Sequence, residues 1–162
     1  MPVVVDCPRW EQFLQEVFLD DRELIEYSQW FLGYALTGST DHDHFQVGYG
    51  TGSNGKTTYQ TAIQLTLGPE FVRQIDPEVV MYQQSAQHPT GLDQLRGVRL
   101  AFVTETTEGR RLNEALIKAL TGGDVIQARF MRQDYFEFKP QLKLFMATNY
   151  RPLIRDQSEG MW

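Results

Sequence analysis

The stretch Gly50-Thr51-Gly52-Ser53-Asn54-Gly55-Lys56-Thr57-Thr58 is the most informative part of this sequence. It has the form G-x-x-x-x-G-K-[ST], in which a tightly curled backbone directs N–H groups at phosphate oxygens and the following helix offers its positive end. Lys56 is expected to pair with the β- and γ-phosphates, and Thr57 to offer its hydroxyl to a magnesium ion. The stretch therefore predicts a binding site for a nucleoside triphosphate.

The residues on either side of this loop support that interpretation. Residues 45–49 alternate apolar with polar or small side chains, which predicts a short strand. Residues 58–67 have the length of a helix and are followed by Gly68 and Pro69. The alternative is a glycine-rich turn that carries Lys-Thr by chance.

Length and composition limit the class of protein. The 162 residues are enough for one core plus a small helical appendage. Cys7 is the only cysteine, which excludes an intrachain disulfide and a metal site built on cysteines. No apolar run approaches the roughly 20 residues that span a bilayer, and the N-terminus lacks a signal-peptide pattern, so we expect a cytoplasmic protein without a membrane partner.

The charge is unevenly distributed along the chain. The net charge is −6, and residues 1–45 hold nine acidic residues against Arg9 and Arg22. Residues 110–155 instead hold nine basic and four acidic residues. One face could thus be locally basic and suit nucleic acid, although a solvated surface explains the charge equally well.

The first forty residues are predicted to be helical. One helix opens at Pro8, and a second places its apolar residues on one stripe before it ends at Gly38. Trp10 and Trp30 are expected in the core. We therefore divide the chain into a helical N-terminal segment, residues 1–44, and a core domain, residues 45–162.

Polar residues follow two predicted strands at the edge where nucleotides bind in parallel-sheet folds. Residues 98–103 are followed by Thr104 and Glu105, and residues 142–148 end in Asn149. Glu105 is a candidate for the magnesium shell and for activating the attacking water, and Asn149 for contacting a γ-phosphate oxygen. An ordinary surface glutamate and a structural asparagine are the alternatives.

The region after residue 70 contains one further distinctive pattern. Residues 71–97 look irregular, and residues 109–120 are predicted to form a helix. Residues 125–128 and 135–138 are predicted strands flanking Arg129, Phe130 and Arg132, which suggests a hairpin with a basic and apolar tip. The pattern suits contact with a nucleic-acid backbone and a solvent-exposed hairpin equally well.

Taken together, four segments resemble the superfamily 3 helicase domain of phage and plasmid primase-helicases, which is related to the poxvirus primase-helicase. They are GTGSNGKTT, RLAFVTETTEGRRLNEALIKALTGGDVIQARF, YFEFKP and KLFMATNYRP. CPRWEQFL and ELIEYSQWFLGYALTG are similar to the helical segment that precedes this domain in the family.

The resemblance implies an α/β fold with an AAA-like P-loop NTPase core, assembled as a homo-hexameric ring around single-stranded DNA. It implies ATP and magnesium at residues 50–58, with Thr57 and Glu105 near the metal. It further implies that Glu105 polarises the hydrolytic water, that Asn149 senses the γ-phosphate, and that Arg129, Phe130 and Arg132 face DNA.

The chain departs from the family pattern at two points. Gln133 stands where many relatives have lysine, so the neighbouring Arg132 is expected to supply the charge. The chain stops at Trp162, whereas relatives continue into arginines that resemble a finger reaching the neighbouring ATP site. Such a finger contributes about 10³ to 10⁵ in turnover, and Arg151 or Arg155 are the available substitutes.

The sequence thus favours an ATP-dependent DNA helicase module of a phage or plasmid replication protein. Priming would belong to another domain or protein. The alternative is a truncated nucleotide- and DNA-binding module without efficient turnover. A third possibility, a small-molecule kinase, fits the loop but leaves residues 122–138 unexplained.

Overall fold

The computed structural model describes residues 5–83, 91–104 and 108–156. Packing divides the chain into two compact units, Met1–Tyr34 and Ala35–Trp162. The predicted division between residues 44 and 45 stays a prediction, because compactness does not show which part folds on its own. Among the helices that the structure describes, none combines the length and apolar character that crossing a bilayer requires.

Helix α1 and most of α2 make up the first unit. Helix α1 spans Pro8–Val17 and begins at a proline, whose missing N–H costs nothing in the first turn. Helix α2 spans Arg22–Thr37 and so runs across the boundary between the units. The expectation that Trp30 is a core residue is wrong: it is 48% exposed and stacks between Tyr27 and Tyr34.

The second unit is built on a four-stranded sheet in which every pairing is parallel. Its strands are β1 (Gln46–Tyr49), β2 (Val72–Ile75), β3 (Leu100–Thr104) and β6 (Lys143–Thr148), in the order β1-β6-β3-β2. Helix α3 (Lys56–Leu67) follows β1, and α4 (Glu114–Gly122) follows β3. Strands β4 (Ile126–Arg129) and β5 (Tyr135–Phe138) form a separate antiparallel hairpin.

The two central strands explain why the sheet is stable. Every residue of β6 is buried, as are the first four of β3, which is typical of parallel strands covered on both faces. Ala101, Val103 and Met146 belong to the core cluster that includes α4, whereas Phe102 packs edge-on against Phe145 with ring centroids 5.4 Å apart. On that second face, Tyr59 of α3 lies 5.6 Å from Phe145.

A fully buried lysine at the start of β6 fixes the segment that leads into β1. Lys143 is 0% exposed, and its Nζ donates a hydrogen bond of 2.6 Å to the backbone oxygen of His42. Burying a charged group is costly unless it is hydrogen-bonded. The loop before β1 is therefore held against the first residue of β6.

Most predicted elements are confirmed within one or two residues, and two are corrected. Strand β2 lies inside the stretch that we expected to be irregular. Helix α4 begins at Glu114 and not at residue 109, because Asn113 caps it through a 3.2 Å bond from Leu116 N–H to its Oδ1. Residues 111 and 112 instead form isolated β-bridges with Leu153 and Met81.

The first residue of α4 anchors the segment that follows β6. Glu114 is 6% exposed and accepts hydrogen bonds from Arg111 Nη2 at 2.9 Å and from the backbone N–H of Arg155 at 2.8 Å. Burial alone would raise the pKa of Glu114, but these hydrogen bonds outweigh it and lower the pKa from 4.5 to about 2. The ionised carboxylate thereby holds the backbone of Arg155 against the start of α4.

We expect this ion pair to make stability depend on pH. Since the folded pKa lies below the unfolded value, the stabilisation is complete above about pH 4.5 and is lost as the pH falls towards 2. Between pH 5 and pH 2, the free energy of unfolding of the wild type should fall by roughly 2–3 kcal/mol more than that of Glu114→Gln. Urea unfolding at several pH values measures it. Glu137→Gln, on the exposed face of β5, should behave as the wild type does, and an equal fall in Glu114→Gln would contradict the assignment.

Candidate functional site

The glycine-rich loop joins the carboxyl end of β1 to the start of α3. Its first residue continues the β1–β6 ladder, because Gly50 N–H donates to Thr148 O at 3.3 Å. At its end Gly55, with a φ of +85°, immediately precedes the first residue of α3. The three leading N–H groups of a helix have no partner inside it, so this end presents free donors and partial positive charge.

Lys56 is the first residue of α3, and three oxygen atoms surround its ammonium group. Its Nζ donates to Gly50 O at 2.7 Å, to Asn54 Oδ1 at 2.8 Å and to Asn149 Oδ1 at 3.0 Å. All three acceptors are neutral. An incoming anion could therefore replace an amide or carbonyl partner without breaking an ion pair.

Two loop glycines differ in what surrounds them. A Cβ on Gly50 would lie 2.0 Å from Asn54 Nδ2, so a side chain there would displace the asparagine that contacts Lys56. A Cβ on Gly52 would meet nothing within 4 Å, and its φ is not positive. The structure itself thus gives no steric reason for glycine at position 52.

The loop opens onto a cavity of about 590 Å³, a size typical of small-molecule sites. Residues 52–58 line the cavity on the side of the loop. The end of β6 and the residue after it also line it, through Ala147, Thr148 and Asn149. Gln60, Thr61 and Gln64 of α3 and Gln74 and Thr104 of the sheet line the remainder. Among the described residues that line it, Lys56 carries the sole charge, so the cavity suits a polar or anionic ligand.

The structure brings some of the predicted site residues together and leaves others undecided. Lys56, Thr57 and Asn149 line one cavity, in which Lys56 touches Asn149. Glu105 lies outside the described residues, immediately after the last residue of β3. In the described part of the chain no group of three or more His, Cys, Asp or Glu residues is placed to hold a metal ion. The catalytic and metal-binding roles remain predictions.

A turn after β6 positions Asn149. Thr148 Oγ1 accepts from Tyr150 N–H at 3.1 Å and donates to Tyr150 O at 2.7 Å. The chain then runs beside residues 110–112, since Leu153 N–H donates to Arg110 O and Leu153 O accepts from Leu112 N–H. Asn149 therefore lies in a short segment that is fixed on one side by the turn at Thr148 and Tyr150 and on the other by the backbone bonds of Leu153.

The two arginines considered as finger substitutes occupy different surroundings. The guanidinium carbon of Arg151 lies 5.0 Å from the ring centroid of Tyr49, the last residue of β1. Arg155 is exposed, and its backbone N–H binds Glu114. Trp162 lies outside the described residues.

The β4–β5 hairpin presents the predicted nucleic-acid residues at its tip. Phe130 is 40% exposed and stacks on Phe136 with ring centroids 5.1 Å apart. Arg132 is exposed and has a φ of +62°, and Arg129 lies over the ring of Tyr135 at 5.2 Å. The expected hairpin is confirmed, and its tip exposes both ring surface and positive charge.

Sequence reasoning missed Gln60 and Gln74, which line the cavity, and gave Thr104 no role in it. Gln60, Gln74 and Thr104 belong to no phosphate-loop pattern, and Gln74 lies in a strand that was not predicted. The available signal was the alternation in β3, which puts Thr104 on the same face as Phe102.

Comparison with known proteins places these features in a family. The sequence profile of DUF5906, described as a family of unknown function, matches residues 48–160. The chain is 29% identical over 144 residues to "Putative helicase L207/L206" of Acanthamoeba polyphaga mimivirus, covering 88% of this chain and 15% of the viral protein. It is 30% identical over 160 residues to "Putative helicase 184R" of Invertebrate iridescent virus 6, covering 93% of this chain and 16% of that protein. The chain thus spans about one-sixth of the length of these relatives.

A solved structure supports the fold. The apo structure of the NrS-1 C-terminal region superposes with a TM-score of 0.70 at 12% identity, covering 97% of this chain and 38% of that chain. At this identity the likeness concerns the fold alone. The coarse expectation of a mixed α/β fold with a parallel sheet is thereby confirmed.

We expect Gly55 and Gly52 to respond differently to replacement by alanine. Gly55→Ala should lower the free energy of unfolding by about 1–2 kcal/mol, because a side chain disfavours the left-handed backbone there. Gly52→Ala is the matched control and should stay within about 0.5 kcal/mol of the wild type, since its Cβ enters open space. Urea denaturation of both variants measures the difference. Equal destabilisation would show that the loop backbone differs from the one described.

Proposed function

We propose that this chain, which belongs to the DUF5906 family, is the ATP-binding segment of a replication helicase that moves on single-stranded DNA. The observation that carries the proposal is the contact of Lys56 with Asn149 inside a cavity at the carboxyl edge of a parallel sheet. Ligands of open α/β folds bind at that edge. The names of the viral relatives support a role in replication.

The residues present fit a nucleoside triphosphate with magnesium. The cavity offers a lysine with neutral partners only, a free helix N-terminus and open space at Gly52. Thr57 would hold the metal with its hydroxyl, and residues 50–58 the phosphates. When bound, ATP supplies a phosphoanhydride bond that water cleaves to ADP, inorganic phosphate and a proton, while magnesium neutralises phosphate charge.

Each residue has a distinct role in this proposal. Lys56 binds the β- and γ-phosphates and exchanges its contact with Asn149 for one with phosphate oxygen. Asn149 thereby becomes free to hydrogen-bond the terminal phosphate or a water, which makes it a sensor of the nucleotide state. Glu105 accepts the proton of the attacking water.

The hairpin tip is the proposed DNA contact. Arg129 and Arg132 would neutralise backbone phosphates, and Phe130 would offer a ring face to a base. Six chains would surround the strand, with ATP between neighbours, and a primase domain or protein would supply primers. A module that binds nucleotide without turnover is the competing function, and a DNA-stimulated ATPase assay separates the two.

Replacing Lys56 tests nucleotide binding. Lys56→Ala should weaken the binding of a fluorescent ATP analogue by at least about 30-fold, the equivalent of one charge-assisted hydrogen bond of about 2 kcal/mol. Lys139→Ala removes an exposed lysine away from the cavity and should bind normally. Unchanged affinity in Lys56→Ala would sink the assignment.

Replacing Arg132 tests the DNA contact. Arg132→Ala should weaken single-stranded DNA binding and reduce the slope of log affinity against log salt by about 0.7, the value for one phosphate contact. Fluorescence anisotropy at several salt concentrations measures this. Arg22→Ala, in the first turn of α2, is the control and should keep the wild-type slope. A wild-type slope in Arg132→Ala would remove this residue from the interface.

A further inference from the structure

The far side of the cavity contains polar side chains that the proposed phosphate contacts do not use. Gln74 of β2 is in register with Phe102 of β3, and Thr104 follows two residues later, so both lie on the sheet face that packs against α3. Gln74 Nε2 donates to Thr104 Oγ1 at 3.0 Å. An amide and a hydroxyl thus stand side by side where the apolar part of that face ends.

Gln60 of α3 faces the same cavity and is the unusual member of the group. It is 5% exposed, and its Nε2 has no hydrogen-bond partner within the described residues. An unsatisfied buried donor destabilises a folded protein, and an apolar side chain of similar size would avoid that cost. Because this Nε2 is also closed to solvent in the ligand-free structure, a glutamine at this position indicates an acceptor that arrives when a ligand binds.

The chemistry of this corner identifies what it can hold. Gln60, Gln74 and Thr104 are neutral, and each side chain both donates and accepts hydrogen bonds. A phosphate only accepts and is better matched by Lys56 and the start of α3. A buried water donates and accepts about three hydrogen bonds, which is what an amide and hydroxyl cluster offers.

We propose that Gln60, Gln74 and Thr104 form a neutral subsite that holds an ordered water beside the phosphate-binding loop once a nucleotide is bound. The inference rests on the proposed function, because the water it holds is the one that nucleotide hydrolysis consumes. The oxygen of that water ends in inorganic phosphate, and its proton passes to a base, for which Glu105 is the candidate. The three residues position water and are not themselves the base.

The subsite predicts that Gln60 lowers the stability of the ligand-free protein and contributes to the bound state. Gln60→Met should raise the ligand-free Tm by about 2–4 °C, because it removes the unpaired donor. The Tm increase caused by magnesium with a non-hydrolysable ATP analogue should shrink to half or less. The kcat should fall roughly 10-fold or more with a KM change below about twofold, and Thr104→Val should change kcat and KM in the same way.

Controls separate this inference from the proposed function. Gln29→Met replaces an exposed glutamine within α2 and should leave the ligand-free Tm, the analogue-induced Tm increase, kcat and KM unchanged. A lower ligand-free Tm in Gln60→Met, or an undiminished analogue effect, overturns the water subsite while the nucleotide site stands. A wild-type protein whose Tm no nucleotide raises overturns both.

Discussion

The parallel pairing of β1 with β6 is the constraint on which the candidate site depends. Gln46 is in register with Phe145, almost a hundred residues later, and the ladder continues to Gly50 and Thr148. The loop and Asn149 consequently begin at the same level of the sheet. A shift of one residue would turn each β6 side chain to the opposite face and exchange Phe145 for a neighbour in the layer beneath α3.

Polar side chains cluster at the carboxyl edge of the sheet, next to the apolar layer between the sheet and α3. Below the edge, Phe102, Phe145 and Tyr59 fill the space between sheet and helix. Polar residues lie close to these rings: Gln60 follows Tyr59 in α3, Thr104 lies two residues beyond Phe102 on the same strand face, and Asn149 directly follows β6. The unsatisfied Gln60 amide at this boundary is consistent with stability given up for a site.

The segment after Asn149 links the site to the rest of the second unit. Backbone bonds to Arg110 and Leu112 and the carboxylate of Glu114 hold it against the start of α4. Helix α4 leads in turn to the hairpin whose tip exposes Phe130 and Arg132. The segment after Asn149 and the hairpin are thus both attached to α4.

The sequence by itself determined the features that arise from neighbouring residues. The glycine-rich loop, the helix that follows it, the buried strands and the hairpin follow from local patterns of apolar residues, glycine and turn residues. Only the tertiary structure decided the existence of β2, the late start of α4, the exposure of Trp30 and the meeting of Lys56 with Asn149 and of Gln74 with Thr104. These features depend on contacts between residues distant in sequence, and local periodicity carries no information about which distant surface a side chain will meet.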